Sequence, residues 1–454
     1  MRVLNGVFFF PRGGSAQVAR ALSRELPAHG WTVRVLSGSL PGGPGDAATF
    51  YSGLDLYAVD FAAGGAPMHP SYEDRPGAPD RCFALVDDAE YRAHVAAWEQ
   101  ALCEAEADSF DVLLLNHLTP LNEAAWRMAP DVPIVGHLHG TELMMLEQIE
   151  AGAPSHWTHA DAWARRMRRW AQLCTRLVVQ TPANVDRAVS LLGVTRRACA
   201  VVANGFDPTV FSPRTVDRAA IWRRTLVTDP QGWRPGAGPG SVTYEPRQLA
   251  ALESGVVFIA VGRYTAVKRI GILIDAFARA ERAAERDAGR APALVIVGGH
   301  PGEWEGEHPW EAIRRSGARN VFLTGWYDQP EVSSFLNAAD VQVLASVREQ
   351  FGLVLVEGMA CGLPAIAVNR LGPAEIIDDG QTGWLVEPDD TGQLADAISS
   401  ALRDGDERRR RASAARRSAV TRWGWPRQAA ELASTLHDAA LTTRRPAVRA
   451  LPAR

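Results

Sequence analysis

Two glutamates eight residues apart, Glu349 and Glu357, stand on either side of a predicted helix start. Apolar and polar residues alternate over 340–344, as in a strand, and a helix is predicted to begin near Gly352. Residues 365–368 are a short apolar run typical of a buried strand, so the whole stretch predicts one βαβ unit. Within one helix, eight residues rotate two side chains by about 80°, which disfavours a shared metal ion. The pattern favours a phosphate at the helix N-terminus with carboxylates beside it, but it also fits two surface glutamates at a helix start.

A second pair of charged residues, Arg263 and Lys268, follows the predicted strand 255–263. At this spacing both side chains can reach one anion beyond the strand's carboxyl end. Of the 48 basic residues, Lys268 is the single lysine. Because every other basic position is arginine, the surviving lysine indicates a place that needs a compact ammonium, although chance survival of one lysine would give the same count.

Polar residues also follow predicted strands in the first half of the chain. Gly13-Gly14 follows strand 2–10, Asn116-His117 ends strand 111–117, and His139-Gly140-Thr141 ends the next strand, where ligands bind in α/β sheets. The opening lacks the G-x-G-x-x-G of dinucleotide-binding proteins, and its glycine pair also fits a tight turn. His137 lies on the same side of its strand as His139 but deeper, and is predicted to be structural.

Length and composition predict a two-domain protein without a polyanionic partner. A chain of 454 residues is too long for a single hydrophobic core. Its residues are 46% hydrophobic and 22% charged, and its net charge of −4 does not favour a polyanionic partner. The five scattered cysteines and the short apolar run at 7–10 favour a reducing cytoplasm without a signal peptide or membrane span. The predicted domains are 1–210 and 255–405, with a linker or insertion of unknown role at 211–254 between them. C-terminal helices follow at 406–441, the last of which could pack back on the first domain, and then a tail at 442–454.

The stretch SVREQFGLVLVEGMACGLPAIAV, with its Glu-x7-Glu pair, resembles the signature of retaining glycosyltransferases of family 4. The resemblance implies an α/β protein of the GT-B fold, with two facing Rossmann-like domains and the active site in the cleft between them. Gly262-Arg263 with Lys268, and His139-Gly140-Thr141, are similar to further motifs of the family. Ala203 stands where the family's segment before Asn204 has proline, and Gly358 stands where an alanine is common.

The resemblance also implies a role for single residues. The implied donor-binding residues are Gly13, Gly14, Arg263, Lys268, Gly325, Glu349, Phe351, Gly352, Leu353 and Glu357. The implied catalytic residues are Arg263, Lys268, Glu349 and His139, and the implied acceptor-binding residues are Asn116, His117, His139, Thr141 and Asn204. Neither a cofactor nor an essential metal is implied, and the substrate is a UDP- or GDP-linked sugar.

These observations predict a retaining transferase that moves a sugar from a nucleoside diphosphate to a small-molecule acceptor. The arginine bias and the Gly/Pro-rich loops hint at secondary metabolism, such as antibiotic biosynthesis. Two alternatives stay open: a sugar phosphorylase or epimerase of the same fold, and a sensor that binds the donor without catalysis. No nucleic acid partner is expected, and the chain is predicted to be a monomer or a homodimer.

Two further stretches carry expectations that the fold can test. Residues 160–173 form a predicted helix with a Trp163, Met167 and Trp170 stripe and four arginines on other faces. The arginines fit an acceptor-phosphate site or peripheral membrane contact, but a core-packed helix with a solvated basic face is favoured. Residues 38–80, rich in Gly, Pro and Asp, are predicted to form long loops.

Overall fold

The computed structural model of the protein describes residues 1–11, 13–43, 45–62, 66–72, 80–286 and 291–442. Its strands are β1 Arg2–Val7, β2 Thr32–Ser39, β3 Asp55–Asp60, β4 Val112–Asn116, β5 Ile134–His137, β6 Arg176–Val179, β7 Cys199–Val201, β8 Val256–Val261, β9 Pro292–Val297, β10 Val321–Gly325, β11 Val341–Leu344, β12 Ala365–Val368 and β13 Gly383–Val386.

The α-helices, in the same chain order, alternate with the strands. They are α1 Gly14–Glu25, α2 Ala47–Phe50, α3 Asp88–Glu104, α4 Pro120–Met128, α5 Thr141–Glu150, α6 Ala160–Leu173, α7 Pro182–Leu192, α8 Arg218–Arg223, α9 Ala250–Ser254, α10 Ile270–Arg286, α11 Pro309–Ser316, α12 Gln329–Asn337, α13 Leu353–Ala360, α14 Gly372–Ile376, α15 Thr391–Arg403, α16 Gly405–Arg422 and α17 Trp425–Leu441.

The first compact unit consists of residues 1–204 together with α17. Its described strands form one parallel sheet in the order β3-β2-β1-β4-β5-β6-β7. Its core includes the fully buried indoles of Trp98, Trp163 and Trp170. Because helices cover both faces of a parallel sheet, its central strands are continuous apolar runs such as Leu113–Leu115.

The second compact unit consists of residues 205–424. Its described strands form another parallel sheet, in the order β10-β9-β8-β11-β12-β13. Phe258, Phe277 and Leu294 lie in its core. The strand order reverses direction at β8, and ligands bind at such switch points beyond the carboxyl ends of the strands.

The sequence predicted the α/β class and the central βαβ unit correctly. β11, α13 and β12 occupy the predicted stretch, with β11 and β12 paired in parallel. The favoured interpretation of α6 agrees with the structure, because its stripe is buried and three of its arginines pair with acids. Arg168 Nη2, for example, lies 2.7 Å from Glu150 Oε1.

Other predictions differ from the structure. Residues 38–80 are not only loop, because they contain α2 and the half-exposed edge strand β3, whose polar ends hide its period. Residues 44, 63–65 and 73–79 of that stretch, and the predicted tail after residue 442, lie outside the described residues. Residues 205–254, which include the predicted linker or insertion at 211–254, cluster with the second unit. The last helix, α17, clusters with the first unit and contacts its α1 and β4, as the prediction for the C-terminal helices allowed. No helix of the described chain is long and apolar enough to cross a membrane.

Candidate active site

The loops after β8 and β11 meet because those two strands are neighbours in the second sheet. A backbone bond from the Val347 N–H to the Val267 carbonyl, 3.0 Å long, joins the loops. The Lys268 ammonium lies 2.5 Å from Glu349 Oε2, across 81 residues of sequence. The sequence assigned separate roles to these two residues, and the structure joins them in one ion pair.

This ion pair is partly open to solvent, with 21% of the Lys268 side chain and 20% of the Glu349 side chain exposed. The Lys268 stem passes over Gly262, where an added Cβ would lie 3.4 Å from the lysine Cε. An ammonium carries three N–H donors, so two remain for another anion after Glu349 has taken one. Arg263 also follows β8, with an exposed side chain.

The start of α13 lies beside this pair. Gly352 precedes the helix at φ 105°, a backbone conformation that glycine adopts without strain. Phe351 is buried against Trp423, with ring centroids 5.5 Å apart, while Leu353 at the first helical position is half-buried. The helix start therefore offers N–H groups and a positive dipole end beside an ammonium.

Glu357, one turn into α13, is half-buried and accepts a 3.3 Å hydrogen bond from Gln329 Nε2. Burial raises the pKa of its carboxyl to about 7, and the Gln329 amide opposes that rise. Gly358 beside it has a packing reason, because an added Cβ would lie 2.0 Å from Gln342 Oε1. The buried Gln342 amide, which donates to the Val354 carbonyl, thus occupies the space that an alanine methyl would take.

Tight glycine turns follow β9 and β10. Gly298 and Gly299 have φ of 124° and 78°, and Gly325 has φ of 81°. An added Cβ at Gly298 would lie 2.1 Å from the Gly262 carbonyl oxygen, so only glycine lets these backbones approach. The Gly298 N–H also donates to the Gly325 carbonyl at 2.8 Å, which joins the two turns.

In the first unit, polar side chains meet beyond β4 and β5. Asn116 Nδ2 donates to Asn5 Oδ1 at 2.7 Å, and its Oδ1 accepts from His139 Nε2 at 2.9 Å. His117, at φ 67°, lies with Nδ1 2.6 Å from Glu142 Oε1 and 3.5 Å from the Thr141 hydroxyl. The structure therefore brings four of the five predicted acceptor residues together.

Burial sets the charges of this histidine cluster. It lowers the pKa of His137 to about 4 and that of His139 well below the ordinary value. Burial alone would raise the pKa of Glu142, but neighbouring His117 and hydrogen bonds, including that from the His139 N–H, hold it below its usual value. His137 packs on His139 with ring centroids 4.5 Å apart, and neither of its ring nitrogens has a partner among the described residues.

The remaining predicted residues lie apart from these contacts. Gly13 precedes α1 at φ 79°, exposed to solvent, and Gly14 is the first residue of that helix. Asn204 is 7% exposed at the end of the first unit, and its Oδ1 has no partner within the described part of the chain.

Sequence reasoning missed Glu142 and Asn5, the side chains that hold His117 and Asn116 in place. Glu142 directly follows the His139-Gly140-Thr141 motif, and Asn5 is a polar residue inside the apolar strand β1, so both left a signal. Within the described residues, no group of His, Cys, Asp and Glu could hold a metal ion.

Comparison with known proteins agrees with both units. The sequence family described as Glycosyltransferase Family 4 matches residues 12–210, and Glycosyl transferases group 1 matches residues 243–418. The chain belongs to glycosyltransferase family 4. It is therefore an enzyme of the glycosyltransferase class.

Individual relatives and structures of the family cover the chain to different extents. The chain is 29% identical over 297 residues to glycogen synthase of Mycobacterium tuberculosis, covering 65% of this chain but 60% of that protein. It is 29% identical over 424 residues to the N-acetyl-alpha-D-glucosaminyl L-malate synthase of Bacillus anthracis, covering 92% of each. Anabaena HepE, solved with UDP and glucose, superposes with a TM-score of 0.67 at 19% identity, over 96% of this chain and 99% of HepE, which confirms the GT-B fold.

Proposed function

We propose that this glycosyltransferase moves a sugar from a nucleoside diphosphate sugar to a hydroxyl of a small-molecule acceptor, with retention of the anomeric configuration. The observation that carries the proposal is the Lys268–Glu349 ion pair beside the start of α13. A departing diphosphate develops negative charge, and a preorganised ammonium and helix N-terminus stabilise that charge most where it develops.

The proposed step breaks the bond between the anomeric carbon and the donor phosphate oxygen. The bonding electrons leave with the nucleoside diphosphate, and the sugar passes through a cationic state. The acceptor hydroxyl oxygen then bonds to the same face of that carbon, and its proton passes to a diphosphate oxygen. No protein nucleophile and no essential metal enter the step, so chelation is expected to leave turnover unchanged.

The other donor residues follow from the same placement. Arg263 adds a second cation near the diphosphate, and Glu349 accepts hydrogen bonds from sugar hydroxyls while it orients Lys268. Glu357 accepts from the ribose hydroxyls, which suits a carboxyl held by Gln329 within reach of the loop after β10. Gly352, Phe351 and Leu353 form the helix start, and Gly325 lets the backbone approach the base. Gly13 and Gly14 are proposed as further donor-binding residues.

We further propose that the histidine cluster of the first unit binds the acceptor. The imidazoles of His117 and His139, the Thr141 hydroxyl and the amides of Asn116 and Asn204 recognise hydroxyl groups rather than a strongly anionic surface. A small polar acceptor fits this chemistry, and L-malate stands in the name of the relative that matches 92% of the chain. We also propose that the enzyme acts in secondary metabolism and in a reducing cytoplasm, and the support for both is the amino-acid composition.

Nucleotide release tests the function. The full chain is incubated with UDP-, GDP- and ADP-linked sugars, with and without a panel of hydroxylated small molecules, and released nucleoside diphosphate is measured. Release that depends on an acceptor is expected, and proton NMR of the product should show the donor's anomeric configuration. Release that depends on inorganic phosphate instead, isomerisation of the donor alone, or binding without any turnover would identify a phosphorylase, an epimerase or a sensor.

A further inference from the structure

Lys268 stands at the end of a short 3₁₀ turn, Ala266–Lys268, which is called the lysine turn here. None of the three residues of this turn is buried. A cavity of about 470 Å³ lies against it, lined by the turn together with residues of the loops after β9 and β13. Core packing therefore does not fix the lysine turn, and its position depends on polar contacts.

Side chains hold Ala266, the first residue of the lysine turn, at both of its backbone polar groups. The Ala266 N–H donates to Glu305 Oε2 at 3.0 Å, and the Glu305 N–H donates to the Tyr264 carbonyl at 2.8 Å. Arg269 Nη1 donates to the Ala266 carbonyl at 3.0 Å. The loop after β9 thus holds the turn at one end of this peptide, and the residue that follows Lys268 holds it at the other.

Arg269 is held in its turn by Asp389, which lies between β13 and α15. Arg269 Nε donates to Asp389 Oδ1 at 2.7 Å, and Nη2 donates to Oδ2 at 3.4 Å, across 120 residues of sequence. Among the described residues, five that are not glycine have a positive φ, and Arg269 at 53° and Asp389 at 59° are two of them. Two left-handed residues therefore meet in one ion pair.

The stability of the fold does not explain this strained pair. The side chains of Arg269 and Asp389 are 35% and 49% exposed, and ion pairs this open to solvent contribute little to the free energy of unfolding. A left-handed backbone raises the energy of a residue that is not glycine, and such strain is found where a functional site needs one conformation. Arg269 directly follows Lys268, so the strained pair adjoins the proposed diphosphate site.

We propose that Asp389, acting through Arg269, is a positioning residue for Lys268. Asp389 keeps the guanidinium on the Ala266 carbonyl and thereby keeps the lysine turn in one conformation. The inference rests on the proposed role of Lys268 at the departing diphosphate and adds a residue pair to it. An ammonium stabilises developing charge best when it is preorganised, so a mobile turn should lower kcat more than it weakens donor binding.

The single lysine of the chain lets one spectroscopic signal report on the turn. In the full chain prepared with lysine that is isotopically labelled at Cε, the one Cε resonance in the NMR spectrum belongs to Lys268. Arg269→Gly and Asp389→Gly each remove the ion pair and introduce a residue that adopts the left-handed backbone without strain, so the melting temperature should stay unchanged. The Lys268 signal should become narrower in both variants and move towards that of free lysine.

The matched control is Glu106→Gly in the first unit. Glu106 is another left-handed residue, at φ 55°, and its substitution relieves the same backbone strain away from the lysine turn. This variant should keep the Lys268 signal of the parent. Identical signals in all four proteins, or an equal change in all three variants, would overturn the positioning role.

Turnover adds a readout that a merely structural role would not move. With the donor and acceptor that the parent uses, each glycine variant should lower kcat about 10-fold and change the donor KM by less than about 3-fold. Because Arg269 and Asp389 act as one unit, the double glycine variant should also lose about 10-fold rather than about 100-fold. Asp389→Asn keeps an oxygen that accepts from Arg269 Nε and should recover most of the rate.

The outcomes separate this inference from the function on which it rests. Parent-like kcat in both glycine variants, in a protein that loses its rate on Lys268→Ala, would overturn the positioning role. Independent, multiplied losses in the double variant would show that the two residues do not act through each other. A parent chain that turns over no nucleotide sugar would instead refute the proposed function, and the lysine signal would still test the Arg269–Asp389 pair.

Discussion

The polar residues of the two units differ in their charge and in their exposure to solvent. In the second unit, Lys268 and Glu349 form an ion pair with about a fifth of each side chain in solvent. In the first unit, His117 and Glu142 are almost wholly buried, and burial lowers the pKa of His137 to about 4. One region keeps full charges near water, and the other keeps the imidazoles of His137 and His139 neutral beside a buried carboxylate.

This difference agrees with what each region is proposed to bind. A diphosphate brings charge with it, and a partly solvated ammonium can turn from its carboxylate partner toward the phosphate without leaving a buried charge unpaired. An acceptor hydroxyl brings no charge, so the neutral imidazole of His139 and the Asn116 amide can bind it without a desolvation penalty for ions. The contrast predicts different responses to pH and to substitution.

Lowering the pH should reveal the largest difference between the two units, because it should reduce the stability of the first unit. His94, His137 and His139 of the first unit all have lowered pKa values, the first two at about 4. Unfolding lets each take up a proton near pH 6.5, so their stabilisation is complete above that pH and is lost as pH falls toward 4. His137 alone would cost the first unit about 3 kcal/mol over this window.

The second unit should respond less over the same range. Burial raises the pKa of Glu357 to about 7, so the folded unit binds a proton between pH 7 and 4.5 that the unfolded chain releases, and acid stabilises it there. His308, with its pKa lowered to about 4, opposes this gain. Hydrogen exchange measured at pH 7.5 and at pH 5.0 should show that acidification accelerates opening more in β5 than in β12. His137→Gln should reduce this difference between the two strands. Equal acceleration in both strands would contradict the comparison.

Removing the ammonium should have the largest effect on turnover. Lys268→Ala leaves Glu349 without its cation and the leaving diphosphate without its nearest positive charge, so kcat should fall on the order of 100-fold or more. Lys268→Arg is the matched control, and it should recover only part of the rate because a planar guanidinium fits poorly over Gly262. Normal turnover by Lys268→Ala, measured as nucleotide release, would end the proposed grip on the diphosphate.

Packing beneath the donor site should be less tolerant than packing in the first unit. Gly358→Ala would place a methyl 2.0 Å from the buried Gln342 amide and should destabilise the protein by about 1–3 kcal/mol. The matched change Gly136→Ala in β5 meets the Leu177 Cδ2 and Cys174 Sγ at 2.8 and 2.9 Å, ends of side chains that can move, and should cost less. Urea unfolding measures both, and Gln342→Val should partly rescue Gly358→Ala. A Gly358→Ala protein as stable as the parent would refute the explanation given for that glycine.

The smallest expected effect is the pH dependence of nucleotide affinity. As Glu357 ionises near pH 7, its carboxylate becomes a stronger acceptor for ribose hydroxyls, so affinity for the tightest nucleoside diphosphate should rise about 5-fold between pH 6 and 8. Glu357→Gln should remove that rise while keeping any change due to the nucleotide's own ionisation. Parallel pH profiles for the two proteins would show that Glu357 does not contact the ribose.

The sequence by itself determined the class of fold and the kind of chemistry. Continuous apolar runs predict parallel strands that are buried on both faces. The stretch from 340 to 368 predicts a strand, a helix start and a second strand, because hydrophobic period and helix capping are local properties of the sequence. The motif around Glu349 identified the family. Lys268 stood out as the single lysine before any contact was known.

Only the tertiary structure decided which of these residues meet. β8 and β11 are neighbours although β9 and β10 lie between them in sequence, and this strand order alone brings Lys268 to Glu349 across 81 residues. The same holds for His117 and Glu142, and for the Trp233 indole N–H, which meets the Gly299 carbonyl across 66 residues of sequence. Long-range pairing depends on the order in which strands join the sheet, and no local period records that order.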